Sequence, residues 1–223
     1  MHSLTLMYVD SFKELKGRQI PLAILELSFA GNKIKTFKNA MYVKNPTHLN
    51  LSANSFTSLR HCEDLCEGIE YIDMSFNRIQ SLEFLEYMPA SLKGINFYGN
   101  QISSLEGVNH MPKFPNHKSL CNKLVFSFNG NRVPLKETRH LPNHLKKLEL
   151  HSNGITTLED LKFLPKCLER LSLKFNQISS LKGIENAPKK LKYLDLSRNG
   201  VTKEELDKYT KQGLIPETLR IDV

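Results

Sequence analysis

Residues 171–178 read LSLKFNQI, residues 194–201 read LDLSRNGV and residues 148–155 read LELHSNGI. Each stretch alternates two leucines with other residues and sets an asparagine three places after the second leucine. Alternation with a period of two is the pattern of a short strand that hides one face. An asparagine held in phase with buried leucines has a structural use. Its amide both donates and accepts, so it can satisfy backbone groups that a turn would otherwise strand inside.

Outward from these three stretches, the first aliphatic of the strand recurs at Leu25, Leu49, Ile72, Ile95, Leu124, Leu148, Leu171, Leu194 and Leu219. The intervals are 24, 23, 23, 29, 24, 23, 23 and 25 residues. Asn54, Asn77, Asn100, Asn153, Asn176 and Asn199 form the asparagine column. Two units, LELSFAGNKI and LVFSFNGNRV, carry two extra residues before the next aliphatic. In the first, Ala30 is read in the asparagine place with Asn32 displaced; in the second, Asn129 and Asn131 are alternatives.

The segments between strands are regular too. SSLEGVNHMP, SSLKGIENAP, TTLEDLKFLP and QSLEFLEYMP each start polar, space aliphatics three apart and close on proline. Ser or Thr at the start suits the N-cap of one short helical turn. Pro89, Pro112, Pro165 and Pro188 end that turn and extend the chain. One such coil cannot bury its own apolar side, so stability comes from stacked neighbours.

This pattern resembles the leucine-rich repeat family, L-x-x-L-x-L-x-x-N-x-L with a period of about 20–29 residues, over roughly residues 22–221. The resemblance implies an α/β solenoid, a horseshoe or arc with a parallel concave β-sheet and short helical, 3-10 or irregular convex segments. A single domain over 1–223 is expected. Residues 1–21 form an N-terminal cap in which Leu4, Leu6 and Tyr8 look strand-like, and 22–201 form eight repeats. Residues 202–223 form a second cap, where TKEELDKYTKQG (202–213) reads as a helix stopping near Gly213, followed by a partial strand.

The bulk numbers narrow the function. A chain of 223 residues, 40% hydrophobic, supports one core or two small ones. No apolar run approaches the roughly 18–20 residues of a membrane span, and the N-terminus lacks the basic and apolar regions of a Sec leader. Four cysteines (Cys62, Cys66, Cys121, Cys167) form no C-x-x-C pair, which indicates a reducing, cytoplasmic compartment. The net charge is +8, but residues 113–194 hold 16 Lys/Arg against 6 Asp/Glu, a balance of +10 that leaves −2 for the rest. Such a field steers acidic partners.

No site for chemistry emerges. His61, Cys62 and Cys66 match no standard zinc spacing, so no metal site is assigned. There is no G-x-S-x-G, P-loop or H-E-x-x-H pattern. Cys121 is the one nucleophile weighed. The chain is read as non-enzymatic, without catalytic residues, cofactor or small-molecule substrate.

If leucine and asparagine build the coil, the variable outward strand residues are left to bind. Tyr71, Tyr98 and Tyr193 would stud the concave face with aromatics, which hot spots favour. Phe29, Phe76, Phe128 and Phe175 are read directly before the asparagine place, either as binding residues or as structural packing. Lys123, Lys147, Arg170 and Lys174 form a basic stripe beside Glu149, and Asp73, His151 and Asp195 complete the surface. Glu26, Asp73, Glu149 and Asp195 would repel phosphate, which disfavours nucleic acid. The 29-residue unit adds a loop candidate in HMPKFPNHKSLCNK, with Lys113, Phe114, His117 and Lys118.

The expectation is a monomeric protein-interaction module. Its LPxxL-like step, in HLPNHLKKLEL and FLPKCLERLSL, resembles leucine-rich repeat effectors that intracellular bacteria inject into host cells. That resemblance implies a host-protein partner and export by a route other than Sec. Two alternatives stand beside it. NQISSLEGV and NQISSLKGI resemble the leucine-rich repeat regulators of protein phosphatase 1. The basic second half could instead hold an anionic partner, phosphoinositide or nucleic acid.

Overall fold

The computed structural model describes residues 3–44, 46–110 and 125–223. The chain divides into two compact units. One comprises Met1–Ile102 and Glu106–Ser127, the other Ser103–Leu105 and Phe128–Val223. Pro112, Cys121, Lys123 and the insertion residues Lys113, Phe114, His117 and Lys118 lie outside the described residues.

The first unit carries six strands, β1 (Ser3–Thr5), β2 (Glu26–Ser28), β3 (His48–Asn50), β4 (Tyr71–Asp73), β5 (Gly94–Asn96) and β6 (Val125–Ser127). They pair in sequence order, all parallel. The second carries β7 (Lys147–Glu149), β8 (Arg170–Ser172), β9 (Tyr193–Asp195) and β10 (Arg220–Asp222), again parallel and in order. Parallel neighbours need a long crossover, and here each crossover is the rest of one coil. This is the α/β repeat coil that the sequence pattern implies.

Strand register corrects the sequence phase at both units with extra residues. Leu27, not Leu25, pairs with Leu49, and Ile95 pairs with Phe126. At the far end Ile221, not Leu219, pairs with Leu194. Leu25 is exposed and Leu124 lies outside the described residues. The physical reason is that phenylalanine can fill the second aliphatic place. Leu27-Ser-Phe29 and Phe126-Ser-Phe128 are the L-x-L strands of those coils. Phe29 and Phe128 are both 0% exposed. Phe128 is therefore a core residue and not part of the outward face, and the four-phenylalanine column splits into two core and two surface residues.

The asparagine network follows from the corrected phase. Asn77 Nδ2 donates to the carbonyls of Leu51 and Met74 at 3.0 Å, and its Oδ1 accepts from the Phe56 N–H at 3.0 Å. Asn176 does the same in the second unit, donating to Leu150 and Leu173 and accepting from the N–H groups of Asn153 and Ile155. Asn54, Asn100, Asn153 and Asn199 make equivalent bonds. Asn32 belongs to the network, bonding Leu6, Phe29 and Val9, and Ala30 does not hold that place. Asn131 donates to the Phe128 carbonyl, whereas Asn129 bonds outward-facing partners.

The residue just before each of these asparagines is left-handed. In the first unit these are Gly31, Ala53, Phe76 and Gly99, preceded by Tyr8 in the first coil; in the second they are Gly130, Ser152, Phe175 and Arg198. The left-handed bend turns the chain off the strand so that the asparagine amide enters the coil.

Crossovers contain one turn of 3-10 helix, for example Cys62–Asp64, Leu85–Tyr87 and Ile184–Asn186. Their caps differ from expectation. Left-handed Asn39, His61, Phe84 and Gly183 precede the turns, without side-chain cap bonds. Serine and threonine lie further upstream, where Ser180 Oγ and Thr157 Oγ1 accept from the N–H groups of Lys182 and Glu159. Serine also reaches the next coil: Ser180 Oγ donates to Glu205 at 2.8 Å, and Ser104 Oγ to Glu137 at 2.6 Å. Met88, Leu164 and Ala187, each before a proline, are extended, as proline requires of its predecessor. The proline carbonyl then accepts from the residue three on, returning Leu92, Leu168 and Leu191 to the core. Helix α1 (Lys203–Lys211) starts at Thr202, whose side chain accepts from the Glu205 N–H. Among the described residues, no helix is long and apolar enough to cross a membrane.

Candidate functional site

Outward strand residues form columns, because parallel in-register pairing puts equivalent residues of successive coils side by side, about 4.8 Å apart. One column precedes the central buried aliphatic and one follows it. A third lies two residues further on, next to the left-handed place.

In the first unit the leading column includes Glu26, His48, Tyr71 and Gly94. His48 stacks on Tyr71, centroids 4.8 Å apart and planes 19° from parallel. Tyr98, 41% exposed, meets Phe76, 59% exposed, edge to face at 5.0 Å. Gly99 makes room for that ring: a Cβ there would come within 3.0 Å of Phe76 Cδ1. Glu26, His48, Tyr71, Gly94 and Tyr98 line a groove of about 800 Å3 along the sheet face.

The following column is partly committed to the backbone. Asn50, Asp73 and Asn96 each accept from the N–H two residues on, at 2.8–3.0 Å. Asp73 therefore finishes its strand, and its second partner is Asn96 Nδ2.

In the second unit the leading column is Lys147, Arg170, Tyr193 and Arg220. The Arg170 guanidinium lies 4.6 Å from the Tyr193 ring centroid, and that of Arg220 lies 6.0 Å away. Tyr193 donates its hydroxyl proton to Asp222 at 2.7 Å. That bond, then burial, holds the phenol above its ordinary pKa, while the same bond keeps the Asp222 carboxyl below its own. Asp195 is held by Ser197 through backbone and side chain, by Ser172, and by Lys174 at 3.8 Å. Burial alone would raise its pKa, but these partners lower it on balance. His151 Nε2 is 2.7 Å from Ser172 Oγ. Glu149 is exposed and, among the described residues, accepts only a long bond from Asn129, 3.5 Å. Phe175 is 57% exposed and, among the described residues, makes no ring contact.

The structure thus brings together Tyr71, Phe76 and Tyr98 in one unit, and Lys147, Arg170, Tyr193, Lys174 and Asp195 in the other. Lys123 lies outside the described residues. Sequence reading missed Arg220 and Lys192, which flank Tyr193, and Tyr8, 94% exposed in the left-handed place of the first coil. The missed signal for Arg220 was phase: counted from Ile221, it falls directly in the leading column.

Cys62 is buried, with its thiol 3.1 Å from the Phe84 carbonyl. Burial, aided by Glu63, pushes its pKa up to about 12. A thiol in that state is a core filler. Among the described residues no three His, Cys, Asp or Glu side chains converge as metal ligands.

A leucine-rich repeat family model matches residues 187–204. A comparison with curated proteins gives no match. Solved structures resemble the chain along most of its length. A leucine-rich repeat protein of Leptospira interrogans is 25% identical, with a TM-score of 0.56, over 91% of this chain and 55% of that one. This chain therefore spans about half the length of that relative. Internalin C2 of Listeria monocytogenes is 18% identical, with a TM-score of 0.58, over 95% of this chain and 88% of that one. A chain of the LRIM1/APL1C complex is 18% identical, with a TM-score of 0.53, over 84% of this chain and 36% of that one.

Proposed function

From the premise that the chain has the leucine-rich repeat fold, we propose that it is a non-catalytic module that binds a protein partner on its sheet faces. One observation carries the reading. Phe76 and Phe175 are bulky apolar rings, more than half exposed and held at φ +54°, where other coils use Gly31, Gly99 and Gly130, the small Ala53 and Ser152, or the polar Arg198. A left-handed backbone costs a non-glycine residue roughly 1–2 kcal/mol. An exposed ring returns little of that by burial, so folding alone does not account for it. Strain kept at an exposed ring supports a binding use, and preformed aromatic anchors are what interface hot spots favour.

A chain of the LRIM1/APL1C complex has a similar fold. In the finer reading the partner is a host protein and the chain a bacterial effector delivered by a route other than Sec. The LPxxL-like step and the similarity to chains from Leptospira interrogans and Listeria monocytogenes support it. The test is affinity capture from a eukaryotic lysate with mass spectrometry, comparing the natural chain with Tyr71→Ala/Phe76→Ala/Tyr98→Ala. Loss of the captured protein with an unchanged circular-dichroism spectrum supports the proposal. Equal capture by both removes the first unit's face as the binding surface.

A further inference from the structure

The two faces are not chemically alike, and the second specifies its partner more narrowly. We propose that the face of the second unit takes an acidic peptide segment, seating an Asp or Glu carboxylate of the partner beside Arg170, Tyr193 and Arg220. This deepens the protein-binding reading and rests on it.

Lys147, Arg170, Tyr193 and Arg220 are consecutive partners in one parallel register. At a strand spacing of about 4.8 Å they form one stripe, and Lys147, Arg170 and Arg220 are exposed. Tyr193 is the support. Arg170 packs against its ring and Arg220 sits 6.0 Å from its centroid, while the hydroxyl is tied to Asp222. Stacking fixes the plane of a guanidinium without using its N–H groups, which lie in that plane and suit a carboxylate two at a time. Arg220 spends only Nε on Asp222, at 3.2 Å.

Three of the four carboxylates nearby are already engaged, Asp222 by Tyr193 and Arg220, and Glu149 is exposed. Glu169 faces Lys146 at 3.6 Å and Lys192 at 3.9 Å. Asp195 is held by Ser197, Ser172 and Lys174. Among the described residues, neither Lys147 nor Arg170 has a carboxylate within ion-pair distance. Positioned cations without a counter-ion are a site for an anion, and the hollow lined by Glu169, Arg170, Lys192, Tyr193 and Arg220, about 450 Å3, has room for a side-chain carboxylate.

The neighbouring column decides which anion. One aliphatic residue after the stripe come Glu149, Asp195 and Asp222 in β7, β9 and β10, with Ser172 in β8. A polyphosphate chain has no donor to offer them and would be repelled. A peptide brings both groups, carboxylates for the cations and backbone N–H groups for the exposed Glu149.

The experiment uses the full chain and a fluorescein-labelled decaglutamate peptide, read by anisotropy at low salt. Its counterparts are a Ser/Gly peptide of equal length, a ten-nucleotide oligothymidine, and vesicles containing phosphatidylinositol bisphosphate. Decaglutamate is expected to bind, with an affinity that falls as salt rises. Arg170→Gln/Arg220→Gln should weaken it by about ten-fold or more, since each lost charged contact is worth roughly a decade. Lys208→Gln/Lys211→Gln removes the same charge from α1 and should leave binding within about two-fold. Both pairs are on exposed or helical surface, and melting curves check that each variant folds. The proposal is overturned if the two double variants weaken binding equally, or if neither does. It is also overturned if oligothymidine or vesicles bind more tightly than the peptide and are lost with Arg170 and Arg220. Should the arginine pair prove indifferent while Tyr71→Ala/Phe76→Ala/Tyr98→Ala still abolishes partner capture, this inference alone fails and the broader reading stands.

Discussion

The first unit presents His48, Tyr71, Phe76 and Tyr98 on its sheet face, and the strands β2 to β5 contribute no lysine or arginine there. The second presents Lys147, Arg170, Lys174 and Arg220, with Tyr193 as a support for arginine rather than an aromatic in a cluster. Beneath these faces the backbones repeat one another: three-residue strands, a left-handed bend, an asparagine and a 3-10 turn. The difference teaches that coil geometry is set by a few invariant places, leaving three columns per strand to carry chemistry. Two surfaces of opposite character can then share one scaffold.

If the scaffold is common, removing the same support should cost stability in either unit, in proportion to the buried groups left unpaired. Among the described residues, Asn77→Ala leaves the buried Phe56 N–H without its partner, while the Leu51 and Met74 carbonyls keep Asn54 and Asn100. Asn176→Ala does the same to the Leu150 carbonyl and to the Asn153 and Ile155 N–H groups, while Leu173 keeps Asn199. An unsatisfied buried group costs about 1–3 kcal/mol. Asn176→Ala should therefore lose roughly 3–5 kcal/mol and Asn77→Ala roughly 1–3 kcal/mol, measured by urea denaturation. A cost below about 1 kcal/mol in one unit alone would show that its asparagine is not a support at all.

Glycine at the crossover offers a second matched pair. Gly107 and Gly183 both sit at φ +98° before a turn, close to the preceding coil. A Cβ would come within 2.8 Å of the Leu82 carbonyl oxygen at the first and 2.5 Å of the Glu159 nitrogen at the second. Alanine at either should lose about 2–3 kcal/mol, from left-handed strain plus backbone displacement. Gly154→Ala, left-handed but with nothing within 4 Å, should lose only about 1 kcal/mol. Thermal melts of the three variants would rank them.

Acid stability should separate the units instead. Glu137 is buried in the second unit, where Ser104 Oγ donates to it at 2.6 Å and the Leu105 N–H at 3.2 Å, with Arg139 at 3.3 Å. Burial raises its pKa, but Ser104, Leu105 and Arg139 together bring it below its ordinary 4.5. A carboxyl whose folded pKa is depressed contributes stability above the unfolded value and loses it as pH falls through the folded one. Stability should therefore decline below about pH 4.5, and Glu137→Gln should flatten that decline while costing about 1–3 kcal/mol at neutral pH. An unchanged acid slope in the variant would mean that Glu137 titrates alike in both states.

Much of this was legible in the sequence. The period, the parallel coil and helix α1 follow from leucine, asparagine and the Thr-x-x-Glu start. Phase was lost in the coils of Phe29, Phe128 and Ile221, because Leu25, Leu124 and Leu219 stand two residues before the true first strand residue and imitate it. Counting back from Asn32 and Asn131 instead of forward from leucine restores it. The left-handed column was visible as Gly31, Gly99 and Gly130, one place before asparagine, but the phase error hid their equivalence. Pairings such as Arg170 on Tyr193 depend on side-chain placement across coils, which no single repeat encodes.

The smallest effect expected is the one that best separates binding from folding. Phe76 and Phe175 share φ +54° and similar exposure, yet only Phe76 has a ring neighbour, Tyr98. Replacing either by glycine relieves left-handed strain of roughly 1–2 kcal/mol, offset by the greater freedom of glycine in the unfolded chain, about 0.4–1 kcal/mol. For Phe76 the lost aromatic contact, about 0.5–1.5 kcal/mol, brings the sum to near zero or slightly unfavourable. For Phe175 no such term exists, so Phe175→Gly should leave stability unchanged or raise it by up to about 1 kcal/mol. A residue that weakens partner binding when removed, without weakening the fold, is kept for its surface. A loss of more than about 2 kcal/mol in Phe175→Gly would instead make that ring a packing element and remove it from the binding face.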